Sequence, residues 1–283
     1  MNHHFHPTTL REYDIRGIIG ETLGADDARA IGRGFASMLR EAGGKTVAVG
    51  YDGRISSPML EHALIEGLTG SGCDVVRIGI GPTPMLYYAE ASADDVDGGI
   101  QITGSHNPAN YNGFKMVFRG RPFFGQDIAE LGRRAATGDW LDGLGEVSTR
   151  EIFEEYVERL LEPLDGLDRD ALIGLRIGWD AGNGAAGPAI EKLVKMLPGE
   201  HHLLFVDVDG QFPNHHPDPT DPANLVDLQK LVAEKNLDFG VAFDGDGDRI
   251  GAIDGQGRVI WGDQLLQIYA EDVLGDVPGA TII

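Results

Sequence analysis

Three stretches of this sequence hold residues whose types and spacing can do chemistry. The first is "TGSHNPANYNGFKM", residues 103–116, in which Ser105 sits between Gly104 and His106, Asn107 and Pro108 follow, and Lys115 stands ten residues after the serine. A serine directly after the strand-like run "GGIQIT" is a candidate nucleophile or group carrier. It does not read as a hydrolase, because "GSHNP" is not the G-x-S-x-G elbow. A histidine adjacent in sequence normally points away from its neighbour, so His106 is not expected to serve Ser105 as a hydrolase base. Taken alone, the segment equally describes a cap or a turn.

The second stretch is "VAFDGDGDRIGAID", where Asp244, Asp246 and Asp248 alternate with glycines and lead into Arg249. Glycine permits the tight turns that let three carboxylates converge. Converging carboxylates repel one another unless a cation stands between them, and an all-oxygen set suits a hard ion, Mg²⁺ or Ca²⁺. A calcium-binding EF-hand is excluded: counted from Asp244, the sixth position is Arg249 and the twelfth is Gly255, where glycine and glutamate are needed. An acidic hairpin turn remains the plain alternative. The third stretch, "GNGAAG" at 182–187, fits G-x-G-x-x-G after a strand pattern, with Asp207 and Asp209 downstream where a ribose-binding acid would stand. Pro188 follows it directly, and a strand-to-helix turn needs no cofactor to explain it. Ser105 and a three-aspartate loop in one chain point instead to a phosphoryl-carrying serine, with Mg²⁺ offsetting the phosphate charge.

The elements that must position these groups alternate along the chain. "KTVAVGYD", "CDVVRIG" and "GGIQIT" read as buried strands. Between and before them, "DDARAIGRGFASMLREAG" gathers Ala28, Ile31, Phe35, Met38 and Leu39 on one face, and "SPMLEHALIEGLTGSG" begins with a serine cap before Pro58. The β-then-α order predicts successive three-layer α/β domains with mixed, mostly parallel sheets, whose sites lie at strand carboxyl ends. "ATGDWLDGLGEVS", residues 136–148, has no sustained period and marks a boundary. The expected division is a serine-bearing domain over 1–145, a metal-loop domain over 146–255, and the start of a third over 256–283. The second contains the helix "REIFEEYVERLLEPL", the strands "LRIGWDA", "HLLFVDVD" and "DFGVAFD", and a helix capped by Asp221 with Pro222 at its first position. The third opens with "GRVIWGDQLLQIYAEDVL", a strand and a helix, and "GATII" reads as its next strand.

Composition sets limits. The 283 residues carry a net charge of −22, which disfavours nucleic acid and anionic membrane as partners but leaves room for a local cationic cluster that holds a small anion. The single cysteine, Cys73, excludes an internal disulfide and fits a reducing cytoplasm. No apolar run is long enough to span a bilayer. "MNHHFHPTTL" lacks a secretory core, and its histidines read as part of a mobile terminus rather than a metal site.

The segments "REYDIRG" (11–17), "VGYDGR" (49–54), "GPTPMLYYA" (81–89), "TGSHNPANYNGFKM" (103–116), "DAGNGAAG" (180–187) and "FDGDGDR" (243–249) run in the order found in α-D-phosphohexomutases. The chain resembles that family, most closely its bacterial phosphomannomutase/phosphoglucomutase branch. The spellings "YDIRG" and "TGSHNP" favour this branch over the phosphoglucosamine mutases. The resemblance implies an intramolecular phosphotransferase that interconverts hexose 1-phosphate and hexose 6-phosphate, of mannose or glucose, through a bisphosphate intermediate. Ser105 would be the phosphoserine. Asp244, Asp246 and Asp248, with an oxygen on Ser105, would bind Mg²⁺. Arg16, His106, Lys115 and Arg249 would surround the transferring phosphoryl group, and a hexose 1,6-bisphosphate would be the activator. The cysteine usage and the enzyme class together lead us to expect a cytoplasmic enzyme, with the oligomeric state open and a monomer favoured. The resemblance also makes "GNGAAG" a feature of the fold, and dinucleotide-dependent oxidation recedes. Family members have four domains, so the chain reads as a fragment without the loops that grip the sugar and its distal phosphate. A short non-catalytic metal-binding paralogue is the reading opposed to an enzyme.

Overall fold

Alternation within the β-branched runs decides the layering. In strand β2 (Thr46–Tyr51) Val47 and Val49 face one side and Ala48 the other. The valines pack under helices α1 (Ala25–Glu41) and α2 (Ser57–Gly70), with Ile31, Phe35, Leu60 and Leu64. Ala48 packs with Met85, Leu86 and Ala89 of α3 (Thr83–Ala91). The computed structural model describes residues 2–164, 167 and 172–283.

The first sheet runs in the order β1-β5-β4-β2-β3-β7. Its parallel part is β4 (Gly98–Ile102), β2, β3 (Asp74–Ile80) and β7 (Val147–Thr149). At the other edge β5 (Tyr111–Phe118) pairs antiparallel with β4, β1 (Ile15–Ile18) with β5, and the short β6 (Arg121–Pro122) also with β5. Helix α4 (Gln126–Thr137) lies beside α1 and buries Ile128 and Leu131. Strand β7 carries this sheet past residue 145.

Helix α5 (Phe153–Leu161) leads to a second sheet, ordered β12-β11-β10-β8-β9. Strands β8 (Arg176–Asp180), β9 (Glu200–Leu204) and β10 (Phe239–Phe243) are parallel, and β11 (Ile250–Asp254) and β12 (Val259–Ile260) extend the sheet antiparallel. Val259–Ile260, read from sequence as opening a third unit, is thus an edge strand of the second sheet. On one face of β10, Ala242 meets Leu228 and Val232 of α7 (Val226–Lys235); on the other, Val241 meets Leu265 of α8 (Gly262–Asp276). Helix α6 (Gly187–Val194) contributes Ala189 to the cluster that holds Met85, Leu86 and Tyr156, so one core joins the helices of both sheets.

Several local expectations change. Helix α2 is preceded by Ser56, and Ser57 lies inside the helix, where its hydroxyl donates to Asp52 (2.8 Å) rather than capping. Asp221 does accept the Ala223 amide (2.9 Å), but the turn it caps, Pro222–Leu225, is 3₁₀ before α7 begins. "GATII" forms no strand; five residues without a pairing partner have no ladder to join. The amino-terminal segment is held: the His3 amide donates to the Ala135 carbonyl (2.7 Å), and the His3 ring bonds Asp27 (2.8 Å) and meets Phe5 edge-on.

Candidate active site

Two hairpins meet at the site, one from each sheet. The first turns between β4 and β5. Gln101 pairs with Lys115 across it, and Arg16 pairs with Gly113 on the next strand, so the register alone places Ser105, Lys115 and Arg16 at one end of the sheet. The second turns between β10 and β11 and carries Asp244, Asp246 and Asp248. Their contact leaves no room for side chains at the crossing: a Cβ added to Gly245 would lie 2.5 Å from the Ser105 carbonyl oxygen.

Ser105 is buried, and its φ of 48° is in the left-handed region, which a non-glycine residue adopts only where its surroundings enforce it. Its hydroxyl donates to Asp244 Oδ2 (2.7 Å), and its amide donates to Thr103 Oγ1 (2.8 Å). The left-handed turn also brings His106 to the same side, with Nδ1 3.4 Å from Ser105 Oγ. The sequence expectation that adjacent side chains diverge therefore does not hold here.

The three carboxylates each offer an oxygen within 4.8 Å of the others. Asp244 Oδ1 accepts the amides of Asp248 and Arg249, both at 3.1 Å. Asp246 is fully buried; its Oδ2 accepts from Thr83 Oγ1 (2.5 Å) and Lys115 Nζ (2.7 Å). Lys115 also bonds Asp248. Asp246 Oδ1 is buried and without a hydrogen-bond partner. Burial first, and then the charges of Asp246 and Asp248, push Asp244 up to about 7. Burial acts upward on Asp246 too, but the Lys115 ammonium and the hydrogen bonds from Lys115 and Thr83 outweigh it and hold Asp246 down at about 2. Burial opposes the charge on Lys115, and the two aspartates more than offset it, so its pKa is raised. An all-oxygen cluster with an orphaned buried oxygen and a carboxylate driven toward neutrality fits a hard divalent cation.

Above this cluster is a cavity of about 550 Å³, lined by Arg11, Arg16, Lys115 and Arg249 together with Ser105, His106 and Asp248. Arg16 is buried and fixed by the Gly104 carbonyl and by Asp14, both at 2.5 Å. His106 has a lowered pKa, from burial first and then from the Arg249 charge. A concave, cationic pocket with one serine hydroxyl at its floor suits a small phosphorylated molecule. Residues 7–141 match the family model for phosphoglucomutase/phosphomannomutase, alpha/beta/alpha domain I, and residues 154–257 match that for domain II.

The chain belongs to the phosphoglucomutase/phosphomannomutase family.

Its relatives agree. A phosphomannomutase/phosphoglucomutase of Pseudomonas putida is 44% identical over 274 residues, which cover 97% of this chain and 58% of that protein. A phosphoglucomutase of Neisseria meningitidis is 42% identical over 276 residues, 97% of this chain and 59% of that protein. A crystal structure of a phosphoglucomutase/phosphomannomutase family protein from Burkholderia thailandensis superposes with a TM-score of 0.89 at 43% identity, covering 98% of this chain and 61% of that one. The chain thus spans under two thirds of the length of these family members.

The structure brings Ser105, His106, Lys115, Arg16, Asp244, Asp246 and Asp248 together and lines one cavity with Arg16, His106, Lys115 and Arg249. The dinucleotide-like loop has a different task. Its Ala185 amide donates to the Gly245 carbonyl (3.0 Å), and a Cβ on Gly184 would lie 2.9 Å from that same oxygen, so the loop packs against the aspartate hairpin. Asp207 offers its carbonyl to Asn183 (2.9 Å). Sequence reasoning gave no chemical role to Arg11, Asp52, Arg54 or Thr83. The segments "REYDIRG", "VGYDGR" and "GPTPMLYYA" contained them, but nothing in their local spacing tells which side chain reaches the loops.

Proposed function

We propose that the whole protein carrying these residues is a phosphohexomutase that interconverts hexose 1-phosphate and hexose 6-phosphate, of mannose or glucose, with Ser105 as the phosphorylated residue. The observation that carries this reading is the hydrogen bond of Ser105 Oγ to Asp244 Oδ2, at 2.7 Å, on the floor of a cavity lined by four cationic side chains. In the transfer, the bond between phosphorus and Ser105 Oγ breaks and one forms between phosphorus and a sugar hydroxyl oxygen. The hydroxyl proton ends on Ser105 Oγ. His106 is placed to relay it, because Nδ1 lies 3.4 Å from that oxygen. Arg16, Lys115 and Arg249 neutralise charge on the phosphoryl oxygens, which is most of what such a transfer asks of a protein.

Asp244, Asp246 through its orphaned Oδ1, Asp248 and an oxygen on Ser105 would hold Mg²⁺. When bound, Mg²⁺ supplies positive charge beside the phosphoryl group. A hexose 1,6-bisphosphate is the proposed source of the phosphate on Ser105. We place the serine-bearing domain over residues 1–149, with β7 completing its sheet, the metal-loop domain over 150–260, with β12 completing its own, and the start of a third over 261–283, and we expect a cytoplasmic monomer. Among the described residues no helix is long and apolar enough to cross a membrane.

The test is a coupled assay of the full-length protein with glucose 1-phosphate or mannose 1-phosphate, Mg²⁺ and a trace of the matching 1,6-bisphosphate. The account predicts turnover that Ser105→Ala abolishes. Undiminished turnover in Ser105→Ala would contradict it.

A further inference from the structure

The Ser105 loop is built around a guanidinium that plays no part in the chemistry described above. Arg54 lies just beyond β2 and is among the largest fully buried side chains. All five of its N–H groups are used. Nε donates to Asp52 Oδ2 (3.1 Å). Nη1 donates to the carbonyls of Pro108 (2.6 Å) and Tyr111 (2.9 Å), and Nη2 to those of Ser105 (2.8 Å) and Asn107 (2.6 Å). Asp52 completes the unit: its Oδ2 accepts the Gly104 amide (3.0 Å), and its Oδ1 accepts the Arg54 amide (3.1 Å) and the Ser57 hydroxyl (2.8 Å). Four carbonyl dipoles aimed at one point repel one another without a cation at their focus. A planar fork satisfies all four, whereas a lysine ammonium, with three donors on one atom, cannot.

The second domain touches the same guanidinium. The Phe212 ring lies under Arg54, with Cζ of Arg54 5.1 Å from the ring centroid. The far edge of that ring faces the aspartate hairpin, since a Cβ on Gly245 would lie 3.5 Å from Phe212 Cζ. Arg54 therefore ties the left-handed Ser105 turn to the first sheet, and through Phe212 it sets the distance between the serine loop and the aspartate loop.

We propose that Arg54, seated on Asp52 and Phe212, is a positioning residue that holds Ser105 in register with the aspartate loop for phosphoryl transfer. This rests on the proposed function, and the test uses two readouts that fail separately. In the full-length protein with Mg²⁺, Arg54→Lys should lower kcat by on the order of a hundredfold, the scale of a misplacement of about 1 Å, while KM changes by no more than about threefold. Amide hydrogen exchange in 103–111 should accelerate in the same variant, with 47–51 unchanged. A residue that only stabilised the fold would lower the melting temperature and leave kcat per folded molecule intact, and that result overturns the proposal. Unchanged exchange in 103–111 also overturns it. A wild type without mutase activity would remove the proposed function, and the exchange result would still decide whether Arg54 holds the loop. If Arg54→Lys does not fold, Phe212→Leu decides the matter, because it keeps all five hydrogen bonds. A severalfold loss of kcat at constant KM supports the proposal, and an unchanged kcat refutes it.

Discussion

Adding one methyl group at Gly104 should break the support beneath the serine. A Cβ there would lie 2.2 Å from both Cζ and Nε of Arg54. Ordinary contact needs about 3.5 Å, so the guanidinium must retreat by about 1.3 Å. It has no slack, because its bonds to Asp52 and four carbonyls range from 2.6 to 3.1 Å. A retreat of that size breaks two or more of them, at about 1.5–3 kcal/mol each for charged hydrogen bonds. Gly104→Ala should therefore destabilise the fold by about 3–6 kcal/mol. Urea unfolding followed by far-ultraviolet circular dichroism measures this, with Gly70→Ala as the control, since nothing lies within 4 Å of a Cβ at Gly70. A loss at Gly104 no larger than that at Gly70 would refute the reasoning.

Three further outcomes follow from the same geometry. Asp246→Asn should weaken Mg²⁺ binding, measured by titration calorimetry, by on the order of a hundredfold or more, since even removing an outer partner of a metal ligand costs 10–100-fold; unchanged affinity would remove the metal assignment. Burial pushes the Cys73 thiol up to about 12, so an aromatic disulfide reagent should not react with the folded protein near neutral pH and should react once it unfolds; rapid reaction in the native state would contradict this. Burial opposes the charge on His215, but its hydrogen bond and ion pair with Asp180 at 3.0 Å raise its pKa overall. Its folded pKa lies above the ordinary value near 6.5, so its contribution is full below pH of about 6.5 and is lost as pH rises through the folded value. His215→Gln should flatten that part of the stability profile, and an unchanged slope would count against the ion pair.

The chemistry was legible in the sequence where it was local. Ser105 follows a strand, and Asp244, Asp246 and Asp248 share one hairpin, so neighbouring residues made them candidates; each segment alone also reads as a turn, and their presence together in one chain pointed to phosphoryl transfer. The strands were legible from their β-branched runs, and parallel pairing followed from their alternation with helices. What stayed hidden depends on contacts between distant segments. Arg54 reads as an ordinary polar residue after a strand until the fold brings four carbonyls from 105–111 to it. Thr83 reads as the start of a helix, yet its hydroxyl fixes Asp246 from a different sheet. The same holds for the edge strand Val259–Ile260, because only its partner β11 tells which sheet owns it. The His106 orientation was misread for a local reason, since the left-handed φ of Ser105 is imposed by its surroundings and is not a preference of serine.

The most direct test of the account is where phosphate goes. The full-length protein is incubated with glucose 1,6-bisphosphate and Mg²⁺, and its intact mass and proteolytic peptides are then measured for the wild type and for Ser105→Ala. The account predicts one phosphoryl group on the peptide containing Ser105, absent from the alanine variant. A phosphate that persists in Ser105→Ala, or that maps to any other residue of the wild type, would contradict it.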